Sequence, residues 1–188
     1  MSNMGEMIKH AVGALCLAAM AAVGVQAQAP HQYPSPDGRA VAVVTSVPNP
    51  PADARVYESE VHISTLAGAF SVPQLDRSFC SFDGEHGYAV VQSAWSPNSE
   101  YFVFTGESSG GHSPWHSPAF VYSRRTNVLY SLDECVSGIA VVAPDFALAA
   151  PQFARVTVDE GVPGVGFAEK PRVETYDLGA VERGCHDK

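Results

Sequence analysis

Residues Ser93 to Glu134, SAWSPNSEYFVFTGESSGGHSPWHSPAFVYSRRTNVLYSLDE, decide the fold. They contain three short runs that are rich in aromatic and β-branched residues, as β-strands are. Turn-forming residues separate the runs, and a fourth run of the same kind begins just before them. The sequence therefore predicts a β-meander, a series of antiparallel strands joined in chain order. The four runs are Tyr88 to Trp95, Tyr101 to Phe104, Ala119 to Tyr122 and Val128 to Leu132.

A second stretch, nearer the N-terminus, repeats this layout. Its turn signal, Ser35-Pro36-Asp37-Gly38, matches Ser96-Pro97-Asn98-Ser99. In each, proline presets φ and Asp or Asn can bond its own backbone, which favours a tight turn. The strand Ala40 to Thr45 follows the first turn, and Glu60 to Leu66 and Phe70 to Leu75 are predicted to form a hairpin. The sequence thus contains two equivalent units.

The strands after the two turns, AVAVV and YFVF, are apolar without alternation. Such strands are typically covered on both faces, as in a sheet stacked between two others. After Glu134 a further set of apolar or alternating runs predicts a partial third unit. These runs are Ile139 to Val142, Phe153 to Val158 and Arg172 to Leu178.

The order of these motifs resembles a known repeat. The pattern W-S-P-[DN]-[GS] and a strand, followed by AFVYSRRTN and VLYSL, is similar to the TolB-type β-propeller repeat. It matches well from Trp95 to Leu132 and partially from Ser35 to Leu75. The resemblance implies blade architecture and says little about function, because propeller repeats serve enzymes, adaptors and binding proteins alike.

Closed propellers usually have four to eight blades, so two units and a partial third are too few to close. We therefore predict an all-β fold of two to three packed antiparallel β-meander sheets in an open, propeller-like stack. The single domain would span 30–188, with units 34–76, 88–134 and a degenerate 139–178. Self-association is one way to complete such a stack.

The N-terminal segment predicts a cleaved secretory signal over residues 1–29. An apolar run from Ala11 to Val25 precedes small residues that suit cleavage after Ala29 or after Ala27. The run is too short to span a bilayer, so no transmembrane segment is predicted once the signal is removed. The expected location is periplasmic or secreted.

The formal charge of −9 bears on the class of partner. An acidic surface repels phosphate backbones and anionic lipid head groups, and Arg124-Arg125 is the largest basic cluster in the sequence. Nucleic acid is therefore not an expected partner.

Strand direction predicts which loops share an end of the molecule. In an up-and-down meander, successive connections alternate between the two ends of the sheet. The long insertions Pro48 to Arg55 and Gly106 to Pro118 should then project from one end, together with the links Asp76 to Gly87 and Asp133 to Gly138. We call this end the rim. The Ser-Pro turns should lie at the opposite end.

Three cysteines remain after the signal is removed, which favours one disulfide in an oxidising compartment. Cys80 and Cys135 lie in the two rim links of the better repeat, and we predict that they are paired. Cys185 would then be a free thiol near the C-terminus. Cys135 with Cys185 is the alternative pairing.

The insertion Gly106 to Pro118 is the predicted binding surface. It combines Trp115, a rigid aromatic anchor, with His112 and His116 and with small polar residues, a composition that suits recognition. The predicted function is a non-catalytic binding or interaction module that needs no cofactor. Its partner would be an envelope protein or a small ligand.

The alternative is a small zinc enzyme that uses the same loop. Zinc takes three or four nitrogen and oxygen ligands, and H-x-x-x-H spacing is a common ligand pattern on a helix. Prolines in the loop forbid a regular helix, however. The competing interpretation is that the imidazoles bond loop backbone while the tryptophan covers the sheet ends. The candidate ligands are His112, His116, Glu107 and His86.

Overall fold

A computed structural model describes residues 30–46, 58–65, 75–77, 88–108, 116–160 and 170–186. The chain forms three antiparallel sheets, which confirms the predicted all-β class. The first sheet contains β1 (His31–Pro34), β2 (Ala40–Ser46), β3 (Ser59–Thr65) and β4 (Leu75–Arg77). The second contains β5 (Tyr88–Trp95), β6 (Tyr101–Ser108), β7 (Ala119–Ser123) and β8 (Val128–Ser131). The third contains β9 (Ala140–Ala149), β10 (Phe153–Asp159) and β11 (Arg172–Asp177), and the helices are α1 (Leu132–Cys135) and α2 (Leu178–His186).

The first Ser-Pro turn joins β1 to β2 through hydrogen bonds from one serine. The Ser35 hydroxyl donates to the Asp37 carboxylate at 2.6 Å and accepts the Ala40 amide at 2.9 Å. The Ser35 amide donates to the Ala40 carbonyl, and the Gly38 amide donates to the Ser35 carbonyl. Gly38 has a φ of 68°, a conformation that glycine adopts without steric cost. Serine, aspartate and glycine therefore each have a distinct part in this turn.

The second turn, between β5 and β6, repeats the same bonds. The Ser96 hydroxyl donates to the Asn98 side chain at 2.6 Å and accepts the Tyr101 amide at 3.0 Å. The Ser96 amide donates to the Tyr101 carbonyl, and the Ser99 amide donates to the Ser96 carbonyl. Ser99 takes the glycine position with a φ of 65°. The two units thus begin in equivalent ways, as the sequence indicated.

The second sheet lies between the other two. One of its faces packs against the first sheet, and the opposite face packs against the third sheet and α2. The first interface contains Ala40, Ala42, Val44, Val61, Ile63, Trp95, Phe102, Phe104 and Tyr122. The second contains Tyr101, Val103, Val121, Tyr130, Leu132, Val141, Phe146, Ala154, Val156, Val158 and Leu178.

This stacking separates the two apolar strands that the sequence treated alike. In β6 every residue from Tyr101 to Phe104 is buried, which confirms that YFVF is covered on both faces. In β2 burial alternates, and Val41 and Val43 belong to neither apolar cluster. The prediction that AVAVV is covered on both faces is therefore wrong for the described residues. Among the described residues, the first sheet is at one end of the stack, and only one of its faces meets another sheet.

The third sheet is held to the second by side-chain bonds to backbone. The side-chain nitrogen of Gln92 donates to the backbone carbonyl of Phe146 at 2.8 Å. The side-chain oxygen of Gln92 accepts a hydrogen bond from the backbone amide of Phe146 at 3.1 Å. The Thr105 hydroxyl donates to the Pro144 carbonyl at 2.6 Å. These bonds resemble a short strand pairing and fix β9 against β5 and β6.

The disulfide joins Cys135 to Cys185, so the predicted pair Cys80 with Cys135 is wrong. The physical reason is that the chain after β11 forms α2 instead of a mobile terminus. This helix packs on α1, which places the two sulfur atoms together. Cys80 lies outside the described residues, as does the predicted signal.

Candidate binding site at the rim

The rim is one end of the first two sheets. The Val90 amide donates to the Ser59 hydroxyl at 3.0 Å, which joins the start of β5 to the start of β3. At the other end, the Asp37 amide donates to the Ser99 hydroxyl at 3.0 Å and joins the two turns. The two sheets are therefore stacked with corresponding ends together. The described strand ends that flank segments 47–57, 78–87 and 109–115 all lie at the rim.

A cleft of about 270 Å³ lies between the first and second sheets at the rim. The walls come from strands β1, β2, β3 and β5. Three side chains are valines, and the others carry an imidazole, a phenol or a hydroxyl group. The residues are His31, Tyr33, Val44, Thr45, Ser46, Ser59, Val90 and Val91.

Fixed backbone geometry shapes the cleft. Ser59 is held in place because its hydroxyl accepts the Val90 amide. The pairing of β5 with β6 shifts register between Val90 and Gln92, and this bulge leaves Val91 46% exposed. Bulges re-aim side chains in this way. The cleft therefore combines buried anchors with one exposed apolar side chain at its mouth.

The chemistry of the lining favours a neutral ligand. Valine side chains offer apolar contact, and hydroxyl, phenol and imidazole groups offer hydrogen bonds. None of the described lining residues is a carboxylate, an ammonium or a guanidinium. A volume near 300 Å³ is at the small end for ligand sites and suits a capped amino acid or one side chain of a partner.

His116 has a defined partner. Its Nε2 lies 3.1 Å from an Asp133 carboxylate oxygen, and its side chain is 25% exposed. Asp133 also accepts the Val141 amide at 2.7 Å and the Ala119 amide at 3.3 Å. The carboxylate therefore joins the start of β7, α1 and the start of β9. This contact gives His116 a structural role.

The other predicted site residues are not brought together by the described part of the chain. Glu107 lies on β6, is exposed and pairs with Ala89 on β5. Within the described ranges there is no group of three or more His, Cys, Asp or Glu residues that could hold a metal ion. His86, His112 and Trp115 lie outside those ranges. Zinc binding by this loop and recognition through Trp115 remain predictions.

At the end opposite the rim, an arginine joins the first two sheets. Arg124 is 5% exposed and donates to both carboxylate oxygens of Asp37, at 3.1 and 2.9 Å. Glu100 lies 3.5 Å from the same guanidinium. The hydrogen bond from Arg124 holds the pKa of Asp37 well below its usual range. This ion pair spans units that are far apart in sequence and fixes the alignment on which the cleft depends.

A second polar cluster anchors α2. Glu182 is completely buried and accepts four hydrogen bonds. The donors are Tyr101 at 2.8 Å, Ser123 at 2.7 Å, Thr126 at 2.7 Å and Arg125 at 2.9 Å. Burial alone would raise the pKa of this carboxyl, but the bonds outweigh it and lower the pKa to about 2. The carboxylate is therefore charged at neutral pH and holds the helix to the turn between β7 and β8.

The cleft and both polar clusters were not predicted from the sequence. The cleft depends on how two sheets pack, and no local motif marks it. A signal for α2 was available in the spacing of Leu178, Val181, Glu182 and Cys185, which places them on one helical face. The partner of Arg124 could not be inferred, because the ion pair links two separate units.

Comparisons with known proteins give a limited result. No family model matches the chain, and no curated protein is significantly similar to it. A crystal structure of a puromycin hydrolase mutant complexed with PGG matches 82% of this chain with a TM-score of 0.44 and 16% identity. A second puromycin hydrolase structure matches 85% of the chain with a TM-score of 0.43 and 15% identity. The chain spans 21% of the length of each. The open, antiparallel stack is propeller-like, and no family is assigned.

Proposed function

We propose that this protein is a secreted or periplasmic binding module that holds a small neutral group in the rim cleft. The group would be an amino-acid-sized ligand or a neutral side chain of an envelope partner. The single observation that carries the proposal is the cleft itself, which combines three valine side chains with hydroxyl, phenol and imidazole groups and has no carboxylate, ammonium or guanidinium among its described lining residues.

Two further observations support this proposal. The Cys135–Cys185 disulfide favours an oxidising compartment. Within the described residues, no helix has the length and apolar character needed to cross a membrane. The loop Gly106 to Pro118 begins and ends at the same rim, so Trp115 is a second candidate contact for a partner.

The experiment is an NMR titration of the ¹⁵N-labelled protein with N-acetyl-leucine methylamide. N-acetyl-lysine methylamide serves as the charged comparison. We expect saturable shifts at Val44, Ser59 and Val90 in the millimolar range with the leucine probe, and weaker binding of the lysine probe. Shifts that are absent, or that map away from the cleft, would overturn the proposal.

A matched pair of variants tests the location. Val91→Trp places a large side chain at the mouth of the cleft, at a position that is already 46% exposed. Val128→Trp makes the same change at a 37% exposed valine outside the cleft. The first variant should weaken probe binding at least tenfold, and the second should leave it unchanged. Equal affinities for both variants would place the site elsewhere.

A further inference from the structure

The outermost face of the first sheet meets no other described sheet. Side chains of β2 alternate, so Ala40, Ala42 and Val44 face the second sheet while Val41 and Val43 face away. The same alternation in β3 directs Glu60 away from the second sheet. The outer face therefore has Val41 and Val43 near its centre, with Ser64 and His62 opposite them on β3 and Glu60 two residues before His62.

The third sheet has a comparable outer face at the other end of the stack. On β10 the residues Ala154, Val156 and Val158 pack toward the second sheet, and the intervening residues face away. Val173 on β11 pairs with an outward-facing position of β10 and is 52% exposed. The outward residues include Phe153, Arg155 and Thr157 from β10 and Val173 and Thr175 from β11.

These two faces complement each other in composition. Val41 and Val43 on one face can cover Phe153 and Val173 on the other. The first face carries the carboxylate of Glu60 and the imidazole of His62. The second carries the guanidinium of Arg155 near its centre and the carboxylate of Asp177 at the end of β11, opposite Phe153. Arg155 is exposed and has no acidic partner among the described residues. Charge of opposite sign on two apolar faces favours their contact over a contact of either face with itself.

We propose that two copies of this chain associate head to tail, with the first sheet of each packed against the third sheet of the other. A two-fold axis then relates two identical contacts, and the assembly is closed. Two copies of three sheets give a ring of six, which is within the usual range of four to eight for closed propellers.

The size of the contact is sufficient for a specific dimer. Strands about 4.8 Å apart, with about 3.3 Å per residue, give each outer face an area of roughly 300 Å². Two contacts bury four such faces, or roughly 1,200 Å² in total. This value is at the lower limit for stable, specific interfaces. We therefore expect a dimer that dissociates in the micromolar range.

The experiment is sedimentation velocity on the purified protein over a range of concentrations, with disulfide intact. Wild type should sediment at twice the chain mass and dissociate on dilution. Val43→Arg and Val173→Arg each place a charge in one face, and each should weaken dimerisation at least tenfold. Val128→Arg is the matched control, because Val128 lies on the second sheet and is 37% exposed. This control should dimerise like wild type.

The outcomes separate head-to-tail pairing from its alternatives. If only one of the two valine variants weakens the dimer, the contact joins like faces and the proposal is wrong. A wild-type protein that stays monomeric at high micromolar concentration also overturns it, as does unlimited growth into larger oligomers. Circular dichroism must show that each variant is folded.

A charge exchange provides a test that does not depend on the valines. Glu60→Arg and Arg155→Glu should each weaken the dimer, and the double variant should recover much of the affinity. Double variants that are weaker than both single variants would refute the proposed pairing of these two faces. Failure of ligand binding in the cleft would leave all of these results unaffected.

Discussion

Replacement of Glu182 by glutamine removes one buried charge and keeps the shape of the side chain. The carboxylate accepts bonds from three hydroxyls and one guanidinium. Its donors come from β6, from the last residue of β7 and from the turn between β7 and β8, whereas Glu182 itself lies on α2. The variant therefore tests whether this carboxylate holds the C-terminal helix to the second sheet.

The pKa gives the size of the expected effect. The pKa of Glu182 is lowered from 4.5 to about 2. Because a change of one pKa unit corresponds to about 1.4 kcal/mol, the ionised carboxylate stabilises the fold by about 3 kcal/mol. The folded-state pKa is the lower one, so this contribution is present above pH 4.5. It is lost as the pH falls from 4.5 toward 2.

The assay is urea unfolding of wild type and Glu182→Gln at several pH values, with the disulfide intact. At pH 7 the variant should be less stable by about 3 kcal/mol. The two proteins should converge near pH 2, where wild-type Glu182 is half protonated and resembles glutamine. Glu107→Gln, an exposed carboxylate on β6, should change stability by less than about 0.5 kcal/mol. A Glu182→Gln protein as stable as wild type at pH 7, or a difference that persists unchanged at pH 2, would refute the reasoning.

Three further predictions concern the two Ser-Pro turns, the Arg124–Asp37 ion pair and the disulfide. Ser35→Ala and Ser96→Ala each remove equivalent turn bonds and should each cost about 1 to 2 kcal/mol in urea unfolding; costs that differ by more than about 1 kcal/mol would contradict the equivalence of the turns. Arg124→Met leaves the Asp37 carboxylate without its main partner and should destabilise the protein by about 3 kcal/mol. A loss below about 1 kcal/mol would show that the ion pair does not hold the two sheets together. Cys185→Ser opens a disulfide that spans 50 residues, and it should cost about 4 kcal/mol. Non-reducing peptide mapping should find Cys135 joined to Cys185, and a Cys80–Cys135 peptide would disprove the pairing.

Much of the fold could be predicted because local chemistry specifies it. Each Ser-Pro turn needs only bonds within a few residues, so its sequence marks it clearly. The strands beside the turns carry the expected β-branched and aromatic residues, and the sequence places most of them within a few residues of their observed bounds. Alternation in Phe153 to Val158 predicted a half-exposed edge strand. β10 does have one exposed face, but it is the middle strand of its sheet, between β9 and β11, so the edge position was wrong.

Features that depend on packing were less predictable. AVAVV and YFVF look alike in sequence. β2, which contains AVAVV, packs against another sheet on one face, whereas β6, which contains YFVF, belongs to the middle sheet and is packed on both faces. The stretch Pro144 to Pro151 is rich in alanine and proline and was not predicted to be a strand, yet residues 144–149 extend β9. Pro144 fits there because the pairing of β9 with β10 shifts register between Val156 and Val158, where no ladder bond from proline is needed.

At the candidate site, too, some features could be predicted from the sequence and others depend on packing. Strand direction correctly predicted that the strand ends flanking segments 47–57, 78–87 and 109–115 lie at one end of the sheets. The cleft between β1 and β5 arises from the separation of two sheets, which no residue pattern encodes. His116 was selected as a ligand by its spacing from His112, and its bond to Asp133 could be seen only in the structure.

Hydrogen exchange is the most direct test of the central claim, which is that one middle sheet, buried on both faces, fixes the sheets that form the cleft. Amides of β6 and β7 should exchange slowest, at the free energy of global unfolding, and those of β2 should exchange only slightly faster. If β2 and β3 instead exchanged as an independent unit, several kcal/mol below β6, the first sheet would not be held by the second. The cleft would then not be a preformed site, and the account would be contradicted.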